Sequence, residues 1–143
     1  MTNSPPRKEF RKTPSGIAGL DHILYGGLPE GRPTLVCGGP GCGKTVLAME
    51  FLVRGIQNID QPGLFISCEE SVPHLPGNFS SMKFDLEGLI KSEKLKLLDL
   101  NLDPSTVIET GSFSLDGLFI QIDQAVKTLG AKRIVLDTMG RFF

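Results

Sequence analysis

Apolar residues recur along this chain with two different periods, and these predict two kinds of element. Spacings of three and four residues predict two long amphipathic helices. The first occupies residues 44–58, and the second begins after Ser114 as its N-cap and stops at Gly130. Local start and stop signals predict two shorter helices, around residues 20–24 and over residues 85–92.

Short and nearly unbroken apolar runs form the second pattern, and they predict buried β-strands. The runs are TLVCG (34–38), GLFISCE (63–69), LKLLDL (95–100) and RIVLD (133–137). Apolar strands that alternate with helices indicate a mostly parallel sheet with helices on both faces. The predicted fold class is therefore α/β.

Residues 71–83 interrupt this alternation. The segment contains Pro73, Pro76 and Gly77, which oppose a regular helix through most of its length. We expect a loop or a broken turn there.

The run GGPGCGKT (38–45) is the first indication of a binding site, because it matches the phosphate-binding motif Gly-x-x-x-x-Gly-Lys-Thr in full. Glycines let successive backbone N–H groups turn inward around a phosphate, and the following helix directs its positive end at the same anion. Lys44 then reaches the phosphate oxygens, and the Thr45 hydroxyl takes a Mg²⁺ position. We predict a P-loop that binds a nucleoside triphosphate through Gly38, Gly39, Pro40, Gly41, Cys42, Gly43, Lys44, Thr45 and Val46.

Acidic residues end two of the predicted strands. Asp137 closes RIVLD at the carboxyl end of the sheet, where α/β folds bind ligands, and we predict that it supports Mg²⁺. Glu69 and Glu70 end the second strand, and one of them is expected to face the site because adjacent side chains of a strand point to opposite faces. Taken alone, this pair also fits an exposed acidic strand end without a catalytic role.

Length and charge restrict the remaining choices. The chain has 143 residues and a net charge of −1, which suits one compact domain and gives no general attraction to nucleic acid or to an anionic membrane. We divide it into a flexible tail (1–12) and one domain (13–143). The last predicted strand ends six residues before Phe143, so we expect the domain to be incomplete on its C-terminal side.

Cysteines and apolar runs indicate a cytoplasmic protein. No run approaches the length of a membrane span, and the N-terminus lacks the apolar region of a secretory signal. Cys37, Cys42 and Cys68 lack metal-ligand spacing, and we expect all three to be small buried hydrophobes rather than a redox gate on the loop. Nucleic-acid binding needs clustered basic and aromatic residues, and with no tryptophan, one tyrosine and a balanced charge we expect no nucleic-acid partner outside a weak match in the N-terminal tail.

The line GLDHILYGGLPEGRPTLVCGGPGCGKT…FISCEES…RIVLDT resembles the KaiC-like branch of the RecA superfamily of ATPases over residues 13–139. The resemblance implies ATP and Mg²⁺ as cofactors, Lys44 and Thr45 as their ligands, and Asp137 as metal support. It implies that Glu69, assisted by Glu70, activates the attacking water, or a protein hydroxyl in an autokinase. It also implies slow ATP hydrolysis, a hexameric ring, and a signalling or circadian-clock role.

Two other functions share the same core. One is a DNA-dependent recombinase or helicase motor, and the other is a module that uses nucleotide for assembly without turnover. The prolines of residues 71–83 also depart from the resemblance, because the family usually has a helix after the catalytic glutamate.

Overall fold

The computed structural model describes residues 10–39, 41–68, 75–100 and 115–137. Helices and strands alternate along most of this length, as the apolar periods predict. The helices are α1 (Ala18–Ile23), α2 (Lys44–Ile59), α3 (Leu75–Asn78), α4 (Leu86–Lys91) and α5 (Leu115–Leu129). The strands are β1 (Lys12–Thr13), β2 (Leu28–Pro29), β3 (Gly63–Ser67), β4 (Leu95–Asp99) and β5 (Arg133–Asp137).

The larger sheet has three parallel strands in the order β4-β3-β5. Gly63 pairs with Leu95 on one side and with Arg133 on the other, so the three strands start level. All five residues of β3 are buried. The parallel α/β sheet predicted from the apolar runs is therefore confirmed, with β3 at its centre.

Alternate residues of β3 enter two separate cores. Phe65 packs on one face with Met49, Leu52 and Val53 of α2. Leu64 and Ile66 pack on the opposite face with Ala125 of α5. Because side chains of a strand alternate between faces, one short strand anchors a helix on each side of the sheet.

The strand predicted at residues 34–38 is wrong. Residues 33–39 have no regular secondary structure, and the side chains of Leu35 and Val36 are 74% and 49% exposed. Local residue preference favours a strand there, but a strand forms only where a neighbour supplies backbone hydrogen bonds. Within the described ranges, no strand pairs with this segment.

Residues 75–82 are more regular than the loop or broken turn predicted for residues 71–83. They form α3 and a short 3₁₀ turn at Ser80–Met82, while residues 71–74 lie outside the described ranges. Pro76 is the second residue of α3, and proline is tolerated in a first helical turn because its missing N–H has no partner to lose there. The prolines therefore limit the length of this helix without preventing it.

The other helix boundaries lie close to the predicted ones. Asp85 caps α4, where its carboxylate accepts a hydrogen bond from the Gly88 N–H at 3.0 Å. Gly130 follows α5 with φ +70°, as expected for a glycine stop. Ser114, the predicted cap of α5, is outside the described residues.

A small N-terminal unit precedes the phosphate loop. β1 pairs antiparallel with β2, and Lys12, which the sequence assigned to the tail, pairs with Pro29. The Asp21 carboxylate accepts hydrogen bonds from the Ser15 N–H at 2.8 Å, the Ser15 hydroxyl at 2.6 Å and the Gly16 N–H at 3.0 Å. Burial acts to raise the pKa of Asp21, but these hydrogen bonds outweigh it and hold the pKa below its ordinary value.

Candidate functional site

The glycine loop turns the chain directly into α2. Gly41 and Gly43 have φ values of +74° and +93°, in the left-handed region that side chains with a Cβ avoid. Gly43 is also the N-cap of α2, and its carbonyl accepts the Leu47 N–H at 3.0 Å. The glycines of the motif therefore set the sharp turn that exposes the first N–H groups of the helix. Pro40 lies outside the described residues.

Lys44 is folded back over this loop. Its Nζ donates a hydrogen bond to the Gly38 carbonyl and lies 3.4 Å from the Gly39 carbonyl. The ammonium is thus held over the same loop whose amides are expected to surround a phosphate. Such an arrangement places a full positive charge beside the positive end of the α2 dipole.

The hydroxyl of Thr45 and the carboxylate of Asp137 meet at the carboxyl end of the sheet. Thr45 Oγ1 donates to Asp137 Oδ2 at 2.9 Å, and both residues are partly buried. Hydroxyl and carboxylate oxygens are hard donors of the kind that Mg²⁺ prefers, usually with one or two carboxylates and the phosphates of a substrate. The donor set therefore fits the predicted metal, and residues far apart in the chain supply it.

The chain that leads to Glu69 runs beside Asp137. Ser67 pairs with Asp137 in the sheet, and the Cys68 N–H donates to the Asp137 carbonyl at 3.2 Å. Glu69 and Glu70 themselves lie outside the described residues. Val46, the last predicted loop residue, is partly buried against the core under α2.

Two of the three cysteines differ from their predicted burial. Cys68 is buried as expected, whereas Cys37 and Cys42 are exposed. The expectation was wrong for Cys37 because it assumed a buried strand at residues 34–38, and for Cys42 because the loop lies on the surface. Both thiols therefore lie on the segment that enters and forms the phosphate loop.

Arg133 is a residue that the sequence reading did not select. Its side chain is 3% exposed, and its guanidinium bonds to acceptors on three separate parts of the chain. The backbone carbonyls that Arg133 contacts are far away in the sequence, so the residues around Arg133 contain no motif that would reveal these hydrogen bonds. The one available signal was an arginine at the start of an otherwise apolar strand, where a buried cation requires partners.

The described residues hold neither a metal-binding cluster nor a membrane-spanning helix. Those residues contain no cluster of three or more histidine, cysteine or acidic side chains suited to a metal ion. Their helices also include none that is long and apolar enough to cross a membrane.

A parallel sheet with a glycine loop before its first long helix is the arrangement of P-loop α/β domains. A family model described as "ATPase: KaiC" matches residues 13–142. The chain therefore belongs to the KaiC-like ATPase family, as the sequence resemblance predicted.

Relatives agree with this assignment. The circadian clock protein KaiC2 of Synechocystis sp. is 43% identical over 143 residues, which are 100% of this chain and 25% of the relative. The circadian clock oscillator protein KaiC of Prochlorococcus marinus (strain MIT 9313) is 41% identical over 135 residues, 94% of this chain and 27% of the relative. The chain thus spans about a quarter of the length of these curated relatives.

A solved structure has the same fold. The crystal structure of a KaiC-like protein from the archaeon Pyrococcus horikoshii OT3 matches with a TM-score of 0.76 and 34% sequence identity. The match covers 90% of this chain and 53% of that chain.

Proposed function

We propose that this chain binds Mg·ATP at residues 38–46 and hydrolyses ATP slowly, as part of a KaiC-like signalling ATPase of the clock type. The observation that carries the proposal is the 2.9 Å hydrogen bond between Thr45 and Asp137. It joins a hydroxyl and a carboxylate beside the loop that holds Lys44. Phosphoryl transfer needs these groups together, because catalysis depends on positioning the phosphates and stabilising their charge.

Lys44 and the loop amides bind the β- and γ-phosphates in this proposal. Thr45 and Asp137 would hold Mg²⁺, which when bound neutralises charge on the phosphate oxygens. The chemistry of the donor set supports this assignment, since a small hard cation prefers oxygen ligands. The protein's own contribution is to fix these groups on two rigid elements, α2 and β5.

Activation of the attacking water is assigned to Glu69, with Glu70 assisting. The hydrogen bond from Cys68 to the Asp137 carbonyl supports this assignment, because the chain reaches Glu69 one residue later. A carboxylate near the metal pair is suited to orient a water and accept its proton. In an autokinase reaction the same carboxylate would accept the proton of a protein hydroxyl.

The proposal includes assembly into a hexameric ring, with ATP at subunit interfaces and basic groups supplied by the neighbour. Its support is the family assignment and the similarity to clock proteins. Light scattering with and without Mg·ATP measures the assembly, and an unchanged monomer mass in both conditions would remove this part of the proposal.

Phosphate release from ATP tests the catalytic part. We expect Lys44→Ala to weaken ATP binding about 10-fold to 100-fold, because it removes a charged partner of the phosphates. We expect the double variant Glu69→Gln/Glu70→Gln to bind ATP normally and to release phosphate about 100-fold more slowly. Lys91→Ala and Glu87→Gln, both on the exposed surface of α4, are the matched controls.

Hydrolysis at the wild-type rate by the glutamine double variant would refute the assignment of the base. Tight Mg·ATP binding without any turnover in the wild type would instead favour a nucleotide-dependent assembly module.

A further inference from the structure

Arg133 places a positive charge in the interior at the start of β5. Its pKa is lowered by burial, which the negative charge of Asp21 partly offsets. A buried cation persists only when its donors are paired. The acceptors are Gln61 Oε1 at 2.8 Å from Nε, the Phe51 carbonyl at 2.9 Å from Nη1, the Pro14 carbonyl at 2.5 Å from Nη2, and the Ser15 carbonyl at 3.5 Å from Nη1.

Some of the contacts of the Arg133 guanidinium join β5 to α2. The Arg133 guanidinium donates to the Phe51 carbonyl and lies over the Phe51 ring, with 4.5 Å from Cζ to the ring centroid. It also passes directly against Gly55, where a Cβ would overlap the guanidinium. Glycine inside a helix costs about 1 kcal/mol relative to alanine, and the close approach of Arg133 gives the physical reason for it here.

A hydrogen bond also joins α2 and β5 at their other ends. Thr45 lies near the start of α2 and Asp137 at the end of β5, and their side chains are hydrogen-bonded. From Arg133 to Asp137 the strand advances about 13 Å, at roughly 3.3 Å per residue. Along α2, Phe51 lies about 9 Å and Gly55 about 15 Å from Thr45, at 1.5 Å per residue, and Arg133 contacts both. The two ties therefore lie at the two ends of one shared span.

Apolar packing fills the space between the ties. Met49, Leu52 and Val53 are buried there, and Val135 packs against the cluster that they form. The driving force of this burial is non-directional, whereas the hydrogen bond from Arg133 to the Phe51 carbonyl fixes one particular atom of α2 relative to β5. Mg²⁺ demands near-octahedral geometry with ligand distances of about 2.0–2.1 Å. A small axial shift of the helix would consequently separate the hydroxyl from the carboxylate.

We propose that Arg133 is a positioning residue for the Mg²⁺ pair, because it fixes the axial position of α2 on β5 and thereby the distance between Thr45 and Asp137. This inference rests on the proposed function, since it concerns the metal pair of that site. It assigns Arg133 no contact with nucleotide or metal. Its effect is expected on the part of nucleotide affinity that depends on Mg²⁺, and not on the part supplied by the loop and Lys44.

The test measures the Kd of a fluorescent ATP analogue with Mg²⁺ and with EDTA, and takes the ratio of the two values. Arg133→Lys keeps the charge but cannot span separated acceptors as a planar guanidinium does. Gly55→Ala keeps every hydrogen-bonding group and displaces the guanidinium. Arg54→Lys is the matched control. Arg54 directly precedes Gly55 in α2, and its side chain forms an ion pair with Glu50 of the same helix.

We expect Arg133→Lys and Gly55→Ala to lower the Mg²⁺-dependent gain in affinity about tenfold, as mutations of groups that orient metal ligands do. Their Kd in EDTA should stay within about twofold of wild type, and Arg54→Lys should keep the full gain. If both variants keep the same Mg²⁺-dependent gain in affinity as the wild type, even with a lowered Tm, the positioning role is overturned and Arg133 has a purely structural role.

Circular dichroism first establishes that each variant is folded. If Arg133→Lys does not fold, Gly55→Ala decides the question with Arg133 still present. Absence of nucleotide binding by the wild type in both conditions would refute the proposed function itself. That outcome differs from a loss of Mg²⁺ dependence confined to the variants.

Discussion

The side chains of Thr45 and Asp137 are 92 residues apart in the sequence and are joined by one 2.9 Å hydrogen bond in the structure. The bond connects the first turn of the helix after the glycine loop with the end of β5. It is the contact that turns two separate sequence signals into one candidate site.

Replacing either partner should remove the Mg²⁺-dependent part of ATP binding. Thr45→Ala deletes the hydroxyl, and Asp137→Asn replaces an anionic ligand with a neutral amide, so the gain in affinity with Mg²⁺ should fall about tenfold or more. Thr45→Ser keeps the hydroxyl and should behave as wild type. Isothermal titration with ATP in Mg²⁺ and in EDTA measures the gain, and full Mg²⁺ dependence in Asp137→Asn would contradict the metal assignment.

Gly43 should resist replacement because of its backbone conformation. At φ +93° an added Cβ is strained, which costs roughly 1–2 kcal/mol and distorts the start of α2, so Gly43→Ala should lower both the Tm and the ATP affinity. Gly19→Ala is the contrasting variant, because Gly19 lies inside α1 with open space around it. Alanine there should raise stability by up to about 1 kcal/mol. Equal effects of the two substitutions in thermal unfolding would contradict this backbone argument.

Elements that depend on local signals were predictable from the sequence. Helix α2 follows the helical apolar period to within a residue, and Asp85 caps α4 as predicted. Elements that depend on distant partners were not. Residues 34–38 have strand-type side chains, yet in the described residues they lie beside no strand.

The same reasoning applies to the site. The loop glycines and Lys44 form a local motif, and strand-final Asp137 could be placed at the carboxyl edge from topology alone. Arg133 could not be selected, because three of its acceptors are backbone carbonyls from distant residues. Sequence patterns carry little information about which carbonyl a folded chain brings to an arginine.

Exposure of two thiols predicts an unequal reaction with a maleimide. Cys37 and Cys42 are exposed and should be labelled rapidly, whereas buried Cys68 should react only when the protein opens. Bound ATP should slow the labelling of Cys42, because that residue lies inside the loop proposed to surround the phosphates. Peptide mapping by mass spectrometry after timed labelling gives the three rates, with Cys42→Ser identifying its own peptide. Labelling of Cys68 as fast as that of Cys42 would contradict the described burial.

The hydrogen bonds around Asp21 predict a loss of stability in acid. Ser15 and Gly16 hold the pKa of Asp21 below its ordinary value of 3.8. A lowered folded-state pKa means that the native state binds fewer protons than the unfolded state, so the contribution to stability is present above about pH 4. It disappears as the pH falls through the folded-state pKa.

Urea unfolding of wild type and Asp21→Asn from about pH 6 to about pH 3 measures this contribution. We expect the wild type to be more stable near pH 6 by about 1 kcal/mol, a modest value because the carboxylate is partly exposed to solvent. The difference should shrink toward pH 3, since protonation removes from Asp21 the charge that the asparagine already lacks. Asp116→Asn, at an exposed position on α5, should show no such convergence. A difference between wild type and Asp21→Asn that stays constant over the whole pH range would show that the hydrogen bonds around Asp21 do not depend on its charge.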